Sequence, residues 1–449
     1  MEPAIKAKVD LAGLRDALSQ GMMLRAEQML ADLNPAEAAL LLESLPPAKR
    51  EVVWKLLPPE DEGDVLAELN DEVRTLLMSS MDAQDLVAAT EGMELDDLAD
   101  VIAGLPESLT QQLIRSLNRR DRERLEAVLS YAEDSAGGLM NPDTIAVRRN
   151  VTLEVVLRYL RFLGELPRNT NMLFVVDRND NYRGTLSIAR LITHDPEASV
   201  VDVMDTAVEG IHASTSAAEV ARLFETNDLV AAPVIDDTGK LLGQITVDDV
   251  VDVIREQAEH EILGKAGLDE EDDIFAPVVT SVARRSLWLG INLATAFLAA
   301  AVVGMFEATL AEVVVLAVLM PVVASMGGIA GTQTLTLMVR SMALGKVGPS
   351  NARWLLSKEF LVGAVNGLLW SSIVALISVA FFGGWDVGLI IGAAVAINLV
   401  VAALAGSVIP LILPRLGIDP AIAGGVVLTT VTDVVGFMTF LGLGTLFLL

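Results

Sequence analysis

Residues 420–449 read PAIAGGVVLTTVTDVVGFMTFLGLGTLFLL, thirty residues in which Asp433 is the one ionisable side chain. A transmembrane helix needs about 20 consecutive apolar residues. A helix also satisfies every backbone polar group internally, as a segment in lipid must do. The stretch therefore predicts a transmembrane helix that carries a single carboxylate.

Four further apolar runs precede this one and support the same interpretation. They are Leu287–Phe306, Val313–Val339, Phe360–Trp385 and Val387–Pro414, and none contains a charged residue. A soluble core does not require five runs of this length. Residues 284–449 are therefore predicted to form an α-helical transmembrane bundle of five spans.

Basic residues occupy alternate connections of this bundle, whereas the remaining connections hold only acidic charges. The bases are Arg284 and Arg285 before the first span, Arg340, Lys346, Arg353 and Lys358 between the second and third, and Arg415 between the fourth and fifth. Cytoplasmic connections carry an excess of such residues. We expect a multi-pass protein of the cell (inner or plasma) membrane in contact with lipid, with its N-terminus cytoplasmic and its C-terminus outside.

The rest of the chain is strongly acidic. Residues 1–279 carry 54 acidic and 25 basic residues, and the 449-residue chain has a net charge of −28. This charge argues against nucleic acid as a partner and favours cations. No cysteine is present and no histidine follows His260, which excludes thiolate chemistry and a His-Glu-x-x-His protease within the spans. No apolar run opens the chain, so no cleavable signal peptide is expected. We expect a cation-handling protein and not an enzyme.

Residues 1–131 have the pattern of an all-α superhelix. Short amphipathic segments are separated by Leu45-Pro46-Pro47, Leu57-Pro58-Pro59 and Leu105-Pro106. A break that recurs every few dozen residues indicates stacked helical hairpins. We expect this domain to lie in the cytoplasm.

Residues 132–200 and 201–256 repeat one pattern of helices and strands. The starts are Met140-Asn-Pro142 and Met204-Asp205, the middle strands are Phe174–Asp177 and Pro233–Asp236, and the last strands are Gly184–Ser187 and Gly243–Thr246. A β-α-β-β-α order in tandem is therefore predicted, with an α/β fold in each copy.

The repeated pair resembles the tandem of cystathionine-β-synthase (CBS) domains. This resemblance implies a regulatory module, often one that binds adenine nucleotides between its copies. The nucleotide signature stands in the second copy as Thr246-Val-Asp248, whereas the first copy has Ser187-Ile-Ala189 and departs from it. ATP bound at Thr246 and Asp248 and a plain helix-capping role for Asp248 both remain open.

A helical superhelix, a CBS tandem and five spans, in this order, resemble the MgtE family of magnesium transporters. The motifs Asp134–Met140, Gly327–Thr334 and Thr430–Gly436 agree with it. The resemblance implies a homodimeric, Mg²⁺-selective channel that imports magnesium and closes when cytosolic Mg²⁺ binds its acidic domains. A CBS-regulated transporter of another divalent cation, such as Co²⁺, is the alternative. An anion transporter with a CBS tandem and a non-transporting sensor also remain open.

Asp433 is the predicted centre of the ion pathway, because a charge inside a span is costly and usually functional. Thr429 and Gly425 lie one and two turns before it on a helix. Mg²⁺ prefers oxygen ligands and keeps much of its water, so two carboxylates across a two-fold axis could hold a hydrated ion. A helix-packing role for Asp433 is the alternative. The candidate ion-pathway residues are Asp433, Thr429, Thr430, Gly425, Thr432, Gly328 and Thr332.

Two features of the second and fifth spans bear on this pathway. Some members of the family carry asparagines where Ile329, Thr332 and Gly425 stand here, so backbone carbonyls and threonines are expected in place of side-chain amides. The glycines of residues 327–334 are expected either to break the helix or to let the fifth helix pack closely.

Residues 257–283 are expected to connect the tandem to the spans and to transmit closure. They include five consecutive acids at 269–273, whose repulsion a divalent cation would relieve. Glu94, Asp248 and Asp249 belong to similar acidic segments. Besides Asp433 in the ion pathway, the candidate metal ligands are the acids proposed to bind regulatory Mg²⁺: Asp96, Asp97, Asp100, Asp236, Asp237, Asp252, Asp269 and Asp273.

Overall fold

The computed structural model describes residues 11–164, 166–167, 170–268, 273–348 and 350–449. The chain forms two compact units. One extends to residue 257 and includes residues 273–277, and the other comprises residues 258–268 and the chain from residue 278 onward.

The first unit begins with a domain of short helices, as the Leu-Pro breaks predict. Pro47 is the first residue of one helix, and Pro106 caps another. Asn34 forms a capping box, in which its Oδ1 accepts from the backbone N–H of Glu37 at 2.8 Å. The helices are α1 (Leu11–Ser19), α2 (Met23–Leu30), α3 (Pro35–Glu43), α4 (Pro47–Trp54), α5 (Glu62–Glu68), α6 (Asp71–Ser80), α7 (Ala83–Ala89), α8 (Leu95–Ala103), α9 (Glu107–Ser116) and α10 (Arg119–Val128).

Two copies of one small α/β motif follow the helical domain. The first contains β1 (Ala146–Arg148), α11 (Leu153–Leu163), β2 (Met172–Val176), β3 (Tyr182–Ser187), α12 (Ile188–Thr193) and α13 (Val200–Val203). The second contains β4 (Ile211–His212), α14 (Ala217–Asn227), β5 (Ala231–Ile235), β6 (Leu241–Thr246) and α15 (Val247–Leu263).

The sheet topology confirms the predicted duplication. The strand orders are β1-β2-β3 and β4-β5-β6, and in each sheet the first pair is parallel and the second antiparallel. Both antiparallel pairs also shift register at the end of the central strand, between Val175 and Val176 and between Val234 and Ile235. The apolar core of the second copy is continuous with that of the helical domain, so these two parts pack as one body.

The second unit holds five helices that are long and apolar enough to cross a membrane. They are α16 (Val278–Gly304), α18 (Val314–Ala343), α19 (Ala352–Phe382), α20 (Trp385–Ile412) and α21 (Pro420–Leu448), with the short α17 (Glu307–Glu312) between the first two. Five helices match the five predicted spans. However, α16 and α19 begin nine and eight residues before their apolar runs, because hydropathy marks the lipid-facing part of a helix and not its charged end.

The glycine-rich segment of the second span does not interrupt its helix. α18 is continuous from Val314 to Ala343, so the predicted break is wrong. The glycines permit close packing instead. A methyl group at Gly331 would lie 2.8 Å from Leu428 of α21, and one at Gly424 would lie 3.1 Å from Leu335 of α18. The missing side chains therefore bring α18 and α21 together.

Candidate functional site

Asp433 lies about midway along α21 and is half-buried. Thr429, one turn earlier, is exposed, and its hydroxyl donates to the carbonyl of Gly425 at 3.1 Å. A methyl group at Gly425 would meet no atom within 4 Å in the described part of the chain. α21 thus presents a carboxylate, a hydroxyl and uncovered backbone on one open face, which is the stripe that the sequence predicts.

The two other threonines of this set lie differently. Thr432 is fully buried and donates to the carbonyl of Thr429 at 3.0 Å, so it belongs to the packed side of α21. Thr430 is half-buried and donates to Val426 at 2.7 Å. The structure therefore does not bring Thr432 to the open face with Asp433, because adjacent helical positions differ by about 100°.

α18 contributes a second open face. A methyl group at Gly328 would meet no atom within 4 Å among the described residues, and Thr332 is exposed. Gly331 and Leu428 form the close contact between the two helices. Thr332 directly follows Gly331 in the chain, and Thr429 directly follows Leu428. The open positions of α18 and α21 therefore adjoin one helix contact.

A second carboxylate, Glu359, is buried in the membrane unit. From the apolar runs, Asp433 is predicted to be the sole ionisable group within a span, and the structure corrects this prediction. α19 begins at Ala352, so Glu359 enters the helix packing. Its Oε2 accepts from the Thr334 hydroxyl at 3.3 Å, and its Oε1 lies 2.7 Å from the Lys358 ammonium. Lys358 and Glu359, adjacent opposite charges just before the third apolar run, are the sequence feature that could have indicated this buried carboxylate.

The connecting segment contacts the start of α21. Nε2 of His260, near the end of α15, lies 2.5 Å from Oδ2 of Asp419. Asp419 also caps α21, with Oδ1 accepting from Ala421 N at 2.7 Å. A methyl group at Gly264 would lie 3.3 Å from Ile422. Residues 258–268 are therefore attached to the helix that carries Asp433, a contact that the sequence does not indicate.

Acidic residues of the helical domain and the second copy meet within the first unit. Burial and the Asp249 carboxylate hold the pKa of Asp96 well above its ordinary value, and Asp97 and Glu94 add to this. Burial likewise raises the pKa of Asp249 to about 7, with Asp248 and Asp97 contributing. Carboxylates on α8 and α15 thus repel one another, and a cation between them would relieve that repulsion.

Two further predicted acids lie near this cluster. Burial raises the pKa of Asp100 to about 7 against the lowering effect of Arg74. Partial burial also raises the pKa of Asp252, which lies 3.4 Å from Arg255. Partial burial, and then the charge of Asp252, raise the pKa of Glu68. Glu68 is not among the ligands that the sequence predicts.

Asp236 and Asp237 do not join the acidic cluster. Asp236 holds the turn between β5 and β6, where its Oδ1 accepts from Thr238 N at 2.8 Å and Lys240 N at 3.0 Å. Its bond from the Thr238 hydroxyl lowers its pKa. Asp237 lies 2.7 Å from His212 Nε2. Turn formation and a local ion pair account for both residues.

Asp273 is paired with an arginine and not with other acids. Its carboxylate lies 2.7 Å from Arg50 of α4, and both side chains are at most 4% exposed. Its backbone N–H donates to Glu72 at 2.8 Å. In this arrangement the carboxylate of Asp273 is compensated by Arg50, and its assignment as a Mg²⁺ ligand stays a prediction. Asp269 lies outside the described residues.

In the described part of the chain, no group of three or more His, Cys, Asp or Glu side chains has the geometry of a metal site. The acids of α8 and α15 could still provide oxygens to an ion whose remaining ligands are water, which suits Mg²⁺.

A cleft of about 770 Å³ opens beside the nucleotide signature of the second copy. Thr246, Asp248, Val230 and Val251 are among its lining residues. Asp249 Oδ2 accepts from the Thr246 hydroxyl at 3.0 Å and from the Thr246 backbone N–H at 2.9 Å, so Asp249 bonds back to the residue that precedes α15. Hydroxyl and carboxylate groups beside apolar side chains fit the ribose and base of a nucleotide.

The segments of the chain match three families. Residues 33–134 match the MgtE intracellular N domain, residues 200–256 match the CBS domain, and residues 320–443 match MgtE, described as a divalent cation transporter. A protein of Thermus thermophilus, named magnesium transporter MgtE, is 33% identical over 97% of this chain and 98% of its own. The chain belongs to the MgtE family.

Other comparisons agree with this MgtE assignment. A magnesium transporter MgtE of Bacillus subtilis is 29% identical over 96% of both chains. The solved cytosolic domain of the Mg²⁺ channel MgtE in complex with ATP is 34% identical, covers 54% of this chain and 99% of that one, and has a TM-score of 0.50. This MgtE chain is thus a member of a transporter family, with five candidate membrane spans.

Proposed function

We propose that this chain forms a homodimeric, Mg²⁺-selective channel that imports magnesium across the cell membrane and closes when cytosolic Mg²⁺ is high. The observation that carries the proposal is the open face of α21, where Asp433 lies one turn from Thr429 and two turns from Gly425. The names of the relatives support Mg²⁺ as the cargo.

The pathway uses the affinity of carboxylate oxygens for a hard cation. Mg²⁺ retains several waters, so a single Asp433 leaves most of the ion to water and backbone oxygens. A second Asp433, from a partner subunit across a two-fold axis, doubles the negative charge in the path. The uncovered backbone at Gly328 and Gly425 leaves room for the waters of the ion.

Exposed apolar side chains in the CBS tandem support the dimer. Val155, Tyr159 and Phe162 recur at helical spacing along α11, and Phe162 is 86% exposed. Val251 and Ile254 of α15 are also exposed. Such surfaces usually mark protein contacts, and a second copy of the chain would cover both.

Closure follows from the acidic surfaces. The carboxyls of Asp96 and Asp249 resist ionisation because they are buried close together. Mg²⁺ would displace their protons and hold α8 against α15, which favours one arrangement of the cytosolic domains. α15 continues to Leu263, and its last turns carry His260 to Asp419 at the start of α21. An arrangement set by Mg²⁺ would thereby reach the helix of Asp433.

The CBS cleft would take ATP. Thr246 and Asp248 would hold the ribose hydroxyls, and Val230 and Val251 would contact the base. The ATP-bound cytosolic domain of a relative supports this assignment. The nucleotide would stabilise the tandem and so affect closure.

Uptake into proteoliposomes tests the proposal, with Mg²⁺, Co²⁺, Ca²⁺ or Cl⁻ outside in parallel and, in each case, a dye sensitive to that ion inside. Asp433→Asn keeps the shape of the side chain and removes its charge, so Mg²⁺ uptake should be lost while the dimer persists. Asp386→Asn, which removes an exposed carboxylate at the start of α20, is the matched control and should transport normally. Wild-type uptake by Asp433→Asn would refute the pathway, and a preference for Co²⁺ would change the cargo.

A further inference from the structure

Asn398, the fourteenth of the 28 residues of α20, is a fully buried amide in the interior of the membrane unit. Its Nδ2 donates to the backbone carbonyl of Val323 on α18 at 3.0 Å. It therefore connects two helices through a side chain and not through apolar packing alone. An interhelical hydrogen bond of this kind holds membrane helices at a defined spacing.

Two glycines from different helices enclose this amide. A methyl group at Gly327 of α18 would lie 2.3 Å from Nδ2 of Asn398, and one at Gly436 of α21 would lie 2.7 Å from the same atom. Both distances are shorter than a carbon and a nitrogen can approach. Asn398 therefore occupies a slot that exists only because α18 and α21 both lack a side chain there.

The slot lies beside the open faces described above, at neighbouring positions of α18 and α21. Gly436 follows Asp433 by three residues, about 4.5 Å along the helix axis. Gly327 precedes Gly328, the open position of α18. Asn398 itself is 0% exposed, so it reaches neither open face. Any effect of Asn398 on the ion must therefore act through the positions of α18 and α21.

The other end of the amide carries a cost. Oδ1 of Asn398 is buried and accepts no hydrogen bond from the described residues. A buried acceptor without a donor is unfavourable, and rotating the amide would place Oδ1 against the carbonyl of Val323. A leucine of similar volume would avoid this cost, so packing alone does not explain an asparagine here.

We propose that Asn398 is a positioning residue of the ion pathway, which sets the separation of α18 and α21 and thereby the place of Asp433. This inference rests on the proposed function. The hydrogen bond holds α18 at Val323, and the glycine slot holds the turn of α21 that follows Asp433.

The test replaces the amide and keeps its volume. Asn398→Leu should lower the maximal rate of Mg²⁺ uptake in proteoliposomes at least tenfold and shift the half-saturating Mg²⁺ concentration at least threefold, with the elution volume of the dimer unchanged. Asn292→Leu is the matched control, because the Asn292 amide donates to Trp288 of its own helix, and it should behave as the wild type. A purely structural role would reduce the yield of protein and leave half-saturation unchanged.

A distance measurement gives an independent readout. Because the chain has no cysteine, spin labels can be placed at Leu337 of α18 and Val427 of α21, both exposed. Asn398→Leu should broaden or shift the distance distribution between the labels. If Asn398→Leu does not fold, Asn398→Ser, which is polar but too short to reach Val323, should give the same two changes.

The outcomes separate the two proposals. If Asp433→Asn transports normally, the proposed function fails. If Asp433→Asn is inactive but Asn398→Leu matches the wild type in rate, half-saturation and label distance, only the positioning role is overturned.

Discussion

Arg50 and Asp273 form an ion pair of 2.7 Å in which the side chains are 1% and 4% exposed. The guanidinium of Arg50 also donates to the carbonyls of Leu42 at 2.9 Å and Glu43 at 3.2 Å. Asp273 lies five residues before α16 begins at Val278. The chain just before the first span is thus held on the helical domain by a buried charge pair, in addition to its covalent path through the CBS tandem.

Removing one partner of this pair should destabilise the helical domain. Arg50→Ala leaves the carboxylate of Asp273 buried and uncompensated, which costs about 3–5 kcal/mol. Amide hydrogen exchange in α3 and α4 should accelerate accordingly. Arg50→Ala combined with Asp273→Ala should cost less than Arg50→Ala alone.

An exposed pair provides the comparison. Arg119 and Glu123 are 92% and 63% exposed, so Arg119→Ala should cost about 0–1 kcal/mol. Equal effects of Arg50→Ala and Arg119→Ala on exchange would show that the Arg50–Asp273 pair does not hold the segment.

Conservative changes along α21 should separate the open face from the packed face. Asp433→Glu retains the charge and should keep part of the Mg²⁺ uptake. Asp433→Asn removes the charge, and a loss of about 3 kcal/mol of ion binding would lower the occupancy of the site roughly a hundredfold. Thr429→Ala should raise the half-saturating Mg²⁺ concentration less than tenfold, because only one neutral hydroxyl is lost.

Thr432→Ala is the matched change on the packed face, because Thr432 is fully buried. It should lower thermal stability and leave the half-saturating Mg²⁺ concentration unchanged in the uptake assay. A larger shift from Thr432→Ala than from Thr429→Ala would place the pathway on the other side of α21.

The acids of α8 and α15 should make the first unit sensitive to pH. Burial raises the pKa of Asp249 from 3.8 to about 7, so between these values the folded state binds more protons than the unfolded state. The free energy of unfolding should therefore fall as pH rises from about 4 to 7. Without Mg²⁺, amides of α8 and α15 should exchange faster at pH 8 than at pH 5, after correction for intrinsic rates.

Magnesium should reverse this loss at pH 8 and have little effect at pH 5, where the carboxyls are protonated. Asp249→Asn should reduce both the pH dependence and the Mg²⁺ response. Asp237→Asn, an exposed acid outside the cluster, should leave both unchanged. An undiminished Mg²⁺ response in Asp249→Asn would exclude this surface as the sensor.

The contact of His260 with Asp419 should matter for closure. His260→Ala removes the 2.5 Å contact to the residue that caps α21. Amide exchange in the first turn of α21 should rise, and cytosolic Mg²⁺ should close the channel less completely. His194→Ala is the control, because His194 contacts Arg190 O of its own helix end. Full closure in His260→Ala would show that the signal reaches α21 by another route.

The nucleotide cleft makes a separate prediction. Asp248→Asn should weaken ATP binding at least tenfold in titration calorimetry of the full chain, because ribose hydroxyls donate stronger hydrogen bonds to a carboxylate than to a neutral amide. Asp202→Asn, an exposed acid of the first copy, should leave the affinity unchanged. Equal affinity in both variants would leave Asp248 without a role in binding.

Several features of this protein follow from the sequence because they depend on neighbours along the chain. Uncharged runs of span length predict the five membrane helices, and the repeated strand pattern predicts the duplicated α/β motif with its matching topology. Helical spacing also places Asp433, Thr429 and Gly425 on one face. Composition, periodicity and spacing are local properties, so a single sequence suffices for them.

Other features depend on contacts between distant residues. Asp273 follows four acids in the sequence, yet it is compensated by Arg50, more than two hundred residues away. Asp236 is followed by a second acid, Asp237, yet its side chain accepts a hydrogen bond that stabilises the turn after β5. Glu359 stands at the edge of an apolar run, yet it is buried and accepts a hydrogen bond from Thr334 of α18.

The sequence alone determined which parts of the chain form the candidate membrane spans and that Asp433 lies within the last of them. Tertiary structure decided which acids face one another, which threonine is covered, and why Gly327 and Gly436 lack side chains around Asn398. The physical reason is that burial and charge pairing depend on the atoms that helix packing brings within a few ångströms, and spacing along one helix does not specify those partners.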